Sequence, residues 1–538
     1  MILPRPKKYK SSGKSCRISL PLRICFSDSV SESLELAAGE LLGVDILPVS
    51  SRADASVVLT ASPSLSDKSE YCEICTSGGR AILTFTDFLG GRNALAILSS
   101  LISLSDGELE LEEAEISDYP DMPFRSFMQD VGRKHIDIET LRMQILLMAK
   151  CRLNVLHFHF TEYVGFAIAF KRFPELRGAP VTGGAQYTEE EITELVAYAS
   201  SLGIDVIPEI DLPAHANSIT DAFPRLACDT VDGVKPHGWA LCVTAEETYQ
   251  LLEKMIRETC RLFPSRYFHL GTDEISMPDV DRVPRPVSDW SRCRRCLALA
   301  ERQGLRTDRD VDLFYYFLRR VYGIVKSFDR RLIIWNDQID ISVSPDLPRD
   351  IIIEFWRVAA PLRGPHEGCS MQRFVDEGFD VINAYYPETY IDLYVNYDRL
   401  SHFNPLRTTA TDDGRAGQII GSDFCAWDVF AHFDHSVPTS IVSFGERYTN
   451  AMTDGFGEDF PLGMSELLFG IKGFSIFDYT RDVILLDGED IFKETADPAE
   501  VIRIIDSFAP KNIIEKYIHK TYRALAEESL SSRASAEK

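Results

Sequence analysis

The sequence predicts an α/β protein whose main domain is a (β/α)8 barrel, preceded by a small α+β domain and followed by a helical tail. Three observations indicate this fold. Eight short apolar runs recur between positions 124 and 427, amphipathic helical segments lie between many of them, and each run ends in polar or aromatic residues. Eight strands that alternate with helices are typical of a closed parallel barrel.

The eight runs share an aliphatic start and a polar or aromatic end. In chain order they are FRSFMQD, NVLHFHF, IDVIPEI, YFHLGTDE, RLIIWND, DIIIEFW, FDVINAYY and GQIIGSDFCAW. The residues at or near their ends are Asp130, His159, Glu209, Glu274, Asp337, Trp356, Tyr386 and Trp427. Because the carboxyl ends of barrel strands meet at the rim where such barrels place their active sites, these positions predict the site.

The regions on either side of the barrel differ from it in pattern. Residues 1–118 mix strand-like runs such as SCRISLPLRICF with helical ones such as RNALAILSSLISL, so they predict the α+β domain. The acidic segment GELELEEAEISDYPDMP indicates a strand that links this domain to the barrel at 119–445. Residues 446–538 are predicted to close the barrel and to form the C-terminal helices.

Three segments carry the pattern of a helix start, in which a capping residue is followed three positions later by glutamate. They begin at Thr188, Thr244 and Asp497. The sequence predicts a helix from each position, and Pro498 suits the first turn of the last one.

Charge and composition exclude several classes of partner. The 538 residues include 82 acidic and 57 basic side chains, which gives a net charge of −25. Such a field repels nucleic acid and anionic lipid, so neither is expected as a partner. The proline-interrupted N-terminus lacks a signal-peptide core, and no apolar run has the length of a membrane span. We expect a cytoplasmic protein without a cofactor, and a homodimer is left open.

Twelve cysteines suit a reduced protein of this size. The pairs Cys72/Cys75 and Cys293/Cys296 have C-x-x-C spacing, but neither has a second pair or a close histidine in sequence. A structural zinc ion needs four ligands, so no metal site is predicted, and the thiols are expected to pack as small groups or lie at the surface.

The stretch FHLGTDE places two carboxylates, Asp273 and Glu274, directly after the fourth strand. Adjacent acids are often an ordinary solvated turn. Their position at the rim instead favours a catalytic pair above the barrel mouth.

Three segments, in this order, resemble glycoside hydrolase family 20, the β-N-acetylhexosaminidases. FRSFMQDVGRKH resembles the family's arginine strand, with Ser126 at a usual glycine. IPEIDLPAHA resembles the segment that ends in Pro-Gly-His, with Ala214 for glycine, and FPSRYFHLGTDE resembles the acid motif, with Thr272 for its second glycine. The likeness extends from near the N-terminus to about Trp427.

The resemblance implies a retaining mechanism in which the substrate's own 2-acetamido oxygen attacks C1, so the protein supplies no nucleophile. Glu274 is expected to be the general acid and later the base. Asp273 is expected to accept the acetamido N–H, to stabilise the oxazolinium intermediate and, by its charge, to raise the proton affinity of Glu274. The implied substrate is an oligosaccharide or small glycoside with a terminal β-linked N-acetylhexosamine, either GlcNAc or GalNAc.

The resemblance also assigns residues that bind the sugar. The acetamide-pocket tryptophans are matched by Trp335, Trp356 and Trp427, although any one of them alone could be an ordinary core residue. Tyr390 is expected to hold the acetamido oxygen, and Asp392 to bind outer hydroxyl groups. Arg125 is expected to hold O3 and O4, with a buried structural salt bridge as the alternative.

His157 and His159 share one side of the second strand, as in the H-x-H metal site of barrel amidohydrolases. Such a site needs further ligands at later strand ends, and the sequence shows no evident set. We therefore favour His215 and Glu162 as a pair that orients Glu274. A metal-dependent amidohydrolase remains an alternative.

Two departures from the family pattern open a further alternative. The segment EYVGF at 162–166 stands where the family reads Asp-Asp-Gln-Gly-Trp, and Asp428 and Val429 stand where a glutamate often follows the last tryptophan. Both concern distal hydroxyl recognition. A catalytically degenerate sugar-binding barrel is therefore the other alternative, although binding alone does not require an intact Asp273 and Glu274.

Overall fold

The computed structural model describes most of the 538 residues. The residues outside this description are 106–107, 232, 234, 237, 276–288, 306–309, 340–345, 358–369, 392–396, 407–416, 428–434, 454, 481–489 and 537–538. The predicted sugar-binding residue Asp392 and the departures at Asp428 and Val429 lie outside the described residues.

An α+β domain precedes the barrel. Its strands are β1 (Lys8–Ile18), β2 (Leu22–Phe26), β3 (Ile46–Pro48), β4 (Val57–Ala61), β5 (Cys72–Ser77), β6 (Arg80–Phe85), β7 (Ile102–Ser105) and β8 (Glu108–Asp118), and its helices are α1 (Ser29–Glu32), α2 (Glu35–Leu42) and α3 (Phe88–Leu101). One sheet has the order β1-β8-β5-β6-β4-β2-β3, with β7 paired to β8. The acidic segment predicted as a link is β8, an inner strand of this sheet. Buried and exposed side chains alternate along β5, which packs against α3.

The remaining strands form a closed barrel and two small sheets. They are β9 (Phe124–Asp130), β10 (Val155–His159), β11 (Thr161–Glu162), β12 (Gly165–Phe166), β13 (Ile168–Ala169), β14 (Tyr187–Thr188), β15 (Asp205–Glu209), β16 (Tyr267–His269), β17 (Arg331–Trp335), β18 (Ile352–Phe355), β19 (Asp380–Asn383) and β20 (Ile419–Ala426). The closed order is β9-β10-β15-β16-β17-β18-β19-β20, all parallel, and β20 returns to β9. These eight strands coincide with the eight apolar runs, so the predicted fold class is confirmed.

Helices surround the barrel and form the tail. They are α4 (Ile138–Lys150), α5 (Glu189–Ser201), α6 (Asn217–Ala222), α7 (Glu246–Leu262), α8 (Arg294–Gln303), α9 (Asp310–Ser327), α10 (Met371–Asp376), α11 (Tyr386–Thr389), α12 (Tyr397–Ser401), α13 (Ser436–Thr449), α14 (Phe460–Phe469), α15 (Pro498–Asp506) and α16 (Ile513–Ala536). Helix α13 packs on β9 and β20 and runs past position 445, where the barrel region was predicted to end. Helix α16 contacts α4, α14 and α15, so the tail lies against the side of the barrel. Among the described residues, no helix has both the length and the apolar character needed to cross a membrane.

Two of the three predicted helix starts have a side-chain cap. Thr188 and Glu191 form a reciprocal capping box at α5, and Asp497 accepts a hydrogen bond from the backbone of Ala499 at the start of α15. The prediction of a helix after Thr244 is confirmed by α7, but the prediction of its cap was wrong. Helix α7 begins at Glu246 after Ala245, without a side-chain cap, because the Thr244 hydroxyl lies 3.1 Å from the Cys242 sulfur instead.

Three layers of side chains fill the barrel interior. Toward the N-terminal ends of the strands, an apolar layer takes one residue from each strand: Phe124, Val155, Ile207, Tyr267, Ile333, Ile352, Ile382 and Ile420. Above it lie five buried polar residues: His157, Glu209, His269, Glu354 and Asp423. Near the rim lies an apolar cluster of Met128, Trp335, Ala384, Tyr390, Cys425 and Trp427. The interior is packed, so a substrate has access only from the rim.

Candidate active site

The two adjacent carboxylates leave β16 through a tight turn. Gly271 has φ +70°, and a Cβ atom added to it would lie 1.9 Å from Asp211 Oδ1. This position therefore requires glycine. Thr272 has φ +86°, in the region that favours glycine, which accounts for the second glycine of the family motif. The turn aims Asp273 and Glu274 over the barrel mouth.

Glu274 is held by its backbone and keeps its side chain partly accessible. Its N–H donates to Asp337 Oδ2 at 3.1 Å, and the indole N–H of Trp239 donates to its carbonyl oxygen at 3.0 Å. The side chain is 23% exposed, compared with 13% for Asp273. A group placed in this way can reach a substrate from a fixed position.

Asp273 has a buried acceptor atom that the described residues leave unused. Its Oδ1 atom is buried and accepts no N–H or hydroxyl hydrogen bond from them, while burial and the neighbouring Asp273 carboxylate raise the pKa of Asp211 well above its usual range. Burial raises the pKa of Asp273 to about 7, His215 opposes this rise, and Asp337 and Glu274 add to it. A buried polar atom without a partner costs free energy, so the atom indicates a place for an external N–H or O–H donor.

His215 connects the two acids to Glu162. Its Nδ1 atom lies 3.0 Å from Glu162 Oε2, and its Nε2 atom lies 3.8 Å from Asp273 Oδ2 and 3.7 Å from Glu274 Oε2. Although burial acts in the opposite direction, the Glu162 carboxylate raises the pKa of His215 to about 9. Burial likewise opposes the shift at Glu162, but Arg133 and His215 hold its pKa well below the usual range. At neutral pH, a cationic His215 therefore faces Asp273 and Glu274.

An aromatic box lies beside the acids, formed by Trp335, Trp356, Tyr390 and Trp427. Trp356 and Tyr390 are stacked at 6.1 Å between ring centroids, and Trp427 lies 5.8 Å from Tyr390 and 5.9 Å from Trp335. Hydrogen bonds orient two of the indoles, from Trp335 to Glu209 at 2.9 Å and from Trp356 to Asp337 at 3.2 Å. The structure thus brings together the four aromatic residues singled out in the sequence.

The prediction that Arg125 binds sugar hydroxyls was wrong. Arg125 is the second residue of β9, next to the apolar layer and at the end of the strand opposite the rim. Its guanidinium is fully buried and binds both carboxylate oxygens of Glu70, at 2.6 and 3.1 Å, and the carbonyl oxygen of Arg152 at 2.7 Å. It is the structural salt bridge of the alternative hypothesis and joins the α+β domain to the barrel.

Arg133 is the arginine at the rim, and sequence reasoning missed it. It lies three residues beyond the end of β9, pairs with Asp130 at 2.7 Å and with Glu162, and its guanidinium lies 5.3 Å from the centre of the Trp427 ring. Its place just after a strand's carboxyl end was a signal that could have identified it.

Trp239 was also missed. It lies on the loop between α6 and α7, far in sequence from any barrel strand end. Its ring centroid lies 4.4 Å from that of His215, in addition to its hydrogen bond to the Glu274 carbonyl. It therefore supports the acid and the histidine together.

The barrel histidines pair with carboxylates. His157 lies 3.0 Å from both Asp423 and Glu209, His269 lies 3.0 Å from Glu209, and His159 contacts Glu209. A catalytic metal needs an open coordination position, but His157, Glu209 and His269 are buried beneath Trp335. This arrangement disfavours the amidohydrolase alternative and makes the group a paired-charge layer of the barrel core.

Comparisons with known proteins agree with this geometry. A family model described as glycosyl hydrolase family 20, catalytic domain, matches residues 122–432. The β-hexosaminidase of Porphyromonas gingivalis is 29% identical over 274 residues, 48% of this chain and 34% of that protein. The β-hexosaminidase subunit alpha of Rattus norvegicus is 25% identical over 411 residues, 74% of this chain and 72% of that one. Other curated relatives, such as the β-hexosaminidase of Emericella nidulans, are matched over about half their length.

Solved structures show the same fold. The β-N-acetylhexosaminidase of Bacteroides fragilis superposes with a TM-score of 0.74 at 24% identity, covering 88% of this chain and 96% of that one. An exo β-N-acetylglucosaminidase of Vibrio harveyi, solved in complex with N-acetylglucosamine, gives 0.70 at 21% identity, covering 83% and 73%. Since the family model spans more than half of the sequence, the chain belongs to glycosyl hydrolase family 20.

Proposed function

We propose that the protein is an exo-acting, retaining β-N-acetylhexosaminidase that works by substrate-assisted catalysis. The observation that carries this proposal is the buried Oδ1 atom of Asp273, which accepts no N–H or hydroxyl hydrogen bond from the residues that the structure describes and lies close to the aromatic box. An acetamido group has an N–H that suits this acceptor and a methyl group that suits the indole rings. Relatives named β-hexosaminidases support the same substrate class.

In the first step, the acetamido oxygen forms a bond to C1 as the bond from C1 to the glycosidic oxygen breaks. Glu274 gives its proton to the departing oxygen. Asp273 accepts the acetamido N–H and balances the positive charge that develops on the oxazolinium ring. In the second step, water attacks C1, Glu274 recovers a proton from that water, and the ring reopens to the acetamide with β configuration retained.

The aromatic box controls when water arrives. Trp335 is almost fully buried, and Trp356, Tyr390 and Trp427 form the other sides of the space next to Asp273. Enclosure by apolar rings excludes water from the oxazolinium until the leaving group has gone. It also holds the acetamide with its oxygen close to C1, which converts the attack into an intramolecular reaction.

We infer that Arg133, rather than Arg125, binds hydroxyl groups of the terminal sugar. Its guanidinium is 16% exposed at the rim and is fixed by Asp130 and Glu162, so its orientation is set before the sugar binds. Planar guanidinium groups suit paired hydroxyl oxygens. The sugar is GlcNAc or GalNAc, and hydrolysis of an aryl glycoside of each distinguishes the two.

The test is hydrolysis of aryl β-GlcNAc and β-GalNAc glycosides, with the matching β-glucoside and β-galactoside as substrates that lack the acetamide. We expect turnover of at least one N-acetylated substrate and rates lower by orders of magnitude for the unacetylated pair. Glu274→Gln should nearly abolish hydrolysis of substrates with poor leaving groups, while the control Glu115→Gln, at an exposed side chain of β8, should retain it.

Two outcomes contradict the proposal. If the folded wild-type protein binds N-acetylhexosamines but does not hydrolyse their glycosides, it is a catalytically degenerate sugar-binding barrel. Full activity of Glu274→Gln on poor leaving groups would remove that residue from the role of general acid.

The cytoplasmic location and the homodimer stay predictions. Cell fractionation with an antibody to the chain tests the first, and light scattering of the purified protein during gel filtration tests the second.

A further inference from the structure

Four cysteine thiols gather where the loop before α7 meets the start of α8. Cys228 and Cys242 lie on the loop between α6 and α7, and Cys293 and Cys296 lie at the start of α8. All four side chains are buried, and their sulfur atoms lie within 4.8 Å of one another. The sulfur of Cys296 is 4.0 Å from that of Cys228 and 3.8 Å from that of Cys242.

These distances suit a shared metal ion. A disulfide joins two sulfurs at about 2.05 Å, far shorter than the separations between these thiols. Four sulfurs around a tetrahedral Zn²⁺ ion, with Zn–S bonds of about 2.3 Å, lie about 3.8 Å apart. The spacing of Cys293 and Cys296 is the short C-x-x-C arrangement in which one turn of chain supplies two ligands.

We propose that Cys228, Cys242, Cys293 and Cys296 bind one Zn²⁺ ion as four thiolates. With all four positions taken by protein sulfur, the ion has no place for water or substrate, so its role is structural. The set could not be identified from the sequence, because Cys228 is 68 positions from Cys296. Only the fold brings Cys228 and Cys242 next to Cys293 and Cys296.

The surroundings favour thiolates. The backbone N–H of Asp229 donates to Cys293 Sγ at 3.5 Å, and the Thr244 hydroxyl lies 3.1 Å from Cys242 Sγ, where it can donate to a thiolate. The Asp229 carboxylate lies 3.5 Å from Cys293 Sγ, and the Arg295 guanidinium offsets its charge by binding it at 2.7 Å, while it also binds the Ala227 carbonyl oxygen at 2.7 Å. Four thiolates around Zn²⁺ leave two negative charges, which these donors and the nearby guanidinium stabilise.

The proposed zinc site joins the loop that carries Trp239 to the segment in front of α8. Two hydrogen bonds already link these segments, from the Trp290 indole N–H to the Leu241 carbonyl at 2.8 Å and from the Gly238 N–H to Asp289 at 3.2 Å. Trp239, on the same loop, donates to the Glu274 carbonyl. The ion therefore fixes a loop that holds the acid in position. This inference rests on the thiol geometry and not on the proposed function.

The first test is metal analysis of the full-length protein, purified with a reductant and without chelators. We expect about one Zn²⁺ per chain. The double variant Cys293→Ser/Cys296→Ser should lose this zinc, while the control Cys75→Ser, which removes an exposed thiol of the other C-x-x-C pair, should keep it. An organomercurial that titrates the wild-type thiols should release zinc to a chromogenic chelator. Replacement by Co²⁺ should give the absorption of a tetrahedral tetrathiolate centre.

Two results would overturn the proposal. One is wild-type protein that holds no zinc and takes up none when the reduced protein is given Zn²⁺. The other is an unreduced mass that is lower by two disulfide bonds, with all four cysteines in the linked peptides. Because both measurements use the wild-type protein, the test stands even if the double variant fails to fold, and hydrolase activity does not enter it.

Discussion

The Nδ1 atom of His215 lies 3.0 Å from the Oε2 atom of Glu162, and this contact determines the charge next to the two adjacent acids. Glu162 raises the pKa of His215 to about 9 against the effect of burial, so the ring is cationic at neutral pH. The cation opposes the effect of burial on Asp273. Through His215, the charge of Glu162 therefore acts on Asp273, the residue proposed to bind the acetamide.

Replacing Glu162 by Gln should move the alkaline limb of the pH profile. Without the carboxylate, the pKa of His215 falls, so the neutral form of the ring appears at lower pH. We expect the alkaline limb of kcat/KM to shift to lower pH. Turnover should fall on the order of 10²-fold, because His215, which lies next to Glu274, loses the carboxylate that holds it in place. Glu115→Gln is the control. An unchanged alkaline limb in Glu162→Gln would show that the protonation of His215 does not determine that limb.

The wild-type enzyme should show a bell-shaped pH dependence of kcat/KM. In the proposed mechanism Asp273 acts as a carboxylate, and because burial raises its pKa to about 7, activity should fall as the pH drops below about 7. His215 loses its proton above about 9, so activity should fall there too. The profile is measured with an N-acetylated aryl glycoside over a range in which the fold is intact by circular dichroism. A profile without an acid limb near neutral pH would contradict the assignment to Asp273.

Substitutions of Arg125, in β9, and of Arg133, just after it, should have different effects on stability and on activity. Arg125→Lys loses hydrogen bonds to Glu70 and Arg152 in a fully buried place, and each group left unpaired costs about 1–3 kcal/mol. We expect a lower free energy of unfolding in urea with little change in KM. Arg133→Lys keeps the charge at the rim but loses the planar fork, and we expect kcat/KM to fall at least about tenfold. If Arg125→Lys has the larger effect on kcat/KM, Arg133 is not the arginine that binds the sugar.

The barrel was predictable because its strands are buried on both sides, and such strands appear in a sequence as separate apolar runs. The aromatic box was predictable for a related reason, since Trp335, Trp356 and Trp427 lie at or next to strand ends. Arg125 was misplaced because its role came from the resemblance, while its position at the start of β9 already placed it far from the rim. The strand's direction, read together with its length, would have pointed to Arg133.

Other features depend on contacts between distant segments. Nothing near Trp239 in sequence indicates that its indole donates to Glu274. The Thr-x-x-Glu pattern at Thr244 predicts a helix cap, but the Thr244 hydroxyl contacts the sulfur of Cys242 instead of the helix backbone. Likewise, the pair Cys293/Cys296 has no partners until the loop with Cys228 and Cys242 folds against it.

The most direct test of acetamide participation is a series of aryl glycosides whose N-acetyl group carries none, one, two or three fluorine atoms. Fluorine withdraws electrons from the amide oxygen and weakens it as a nucleophile, with little change in size. If that oxygen attacks C1, kcat/KM should fall steeply at each added fluorine, by orders of magnitude across the series. Equal kcat/KM values across the series would show that the amide oxygen is not the nucleophile, and would contradict the proposed mechanism.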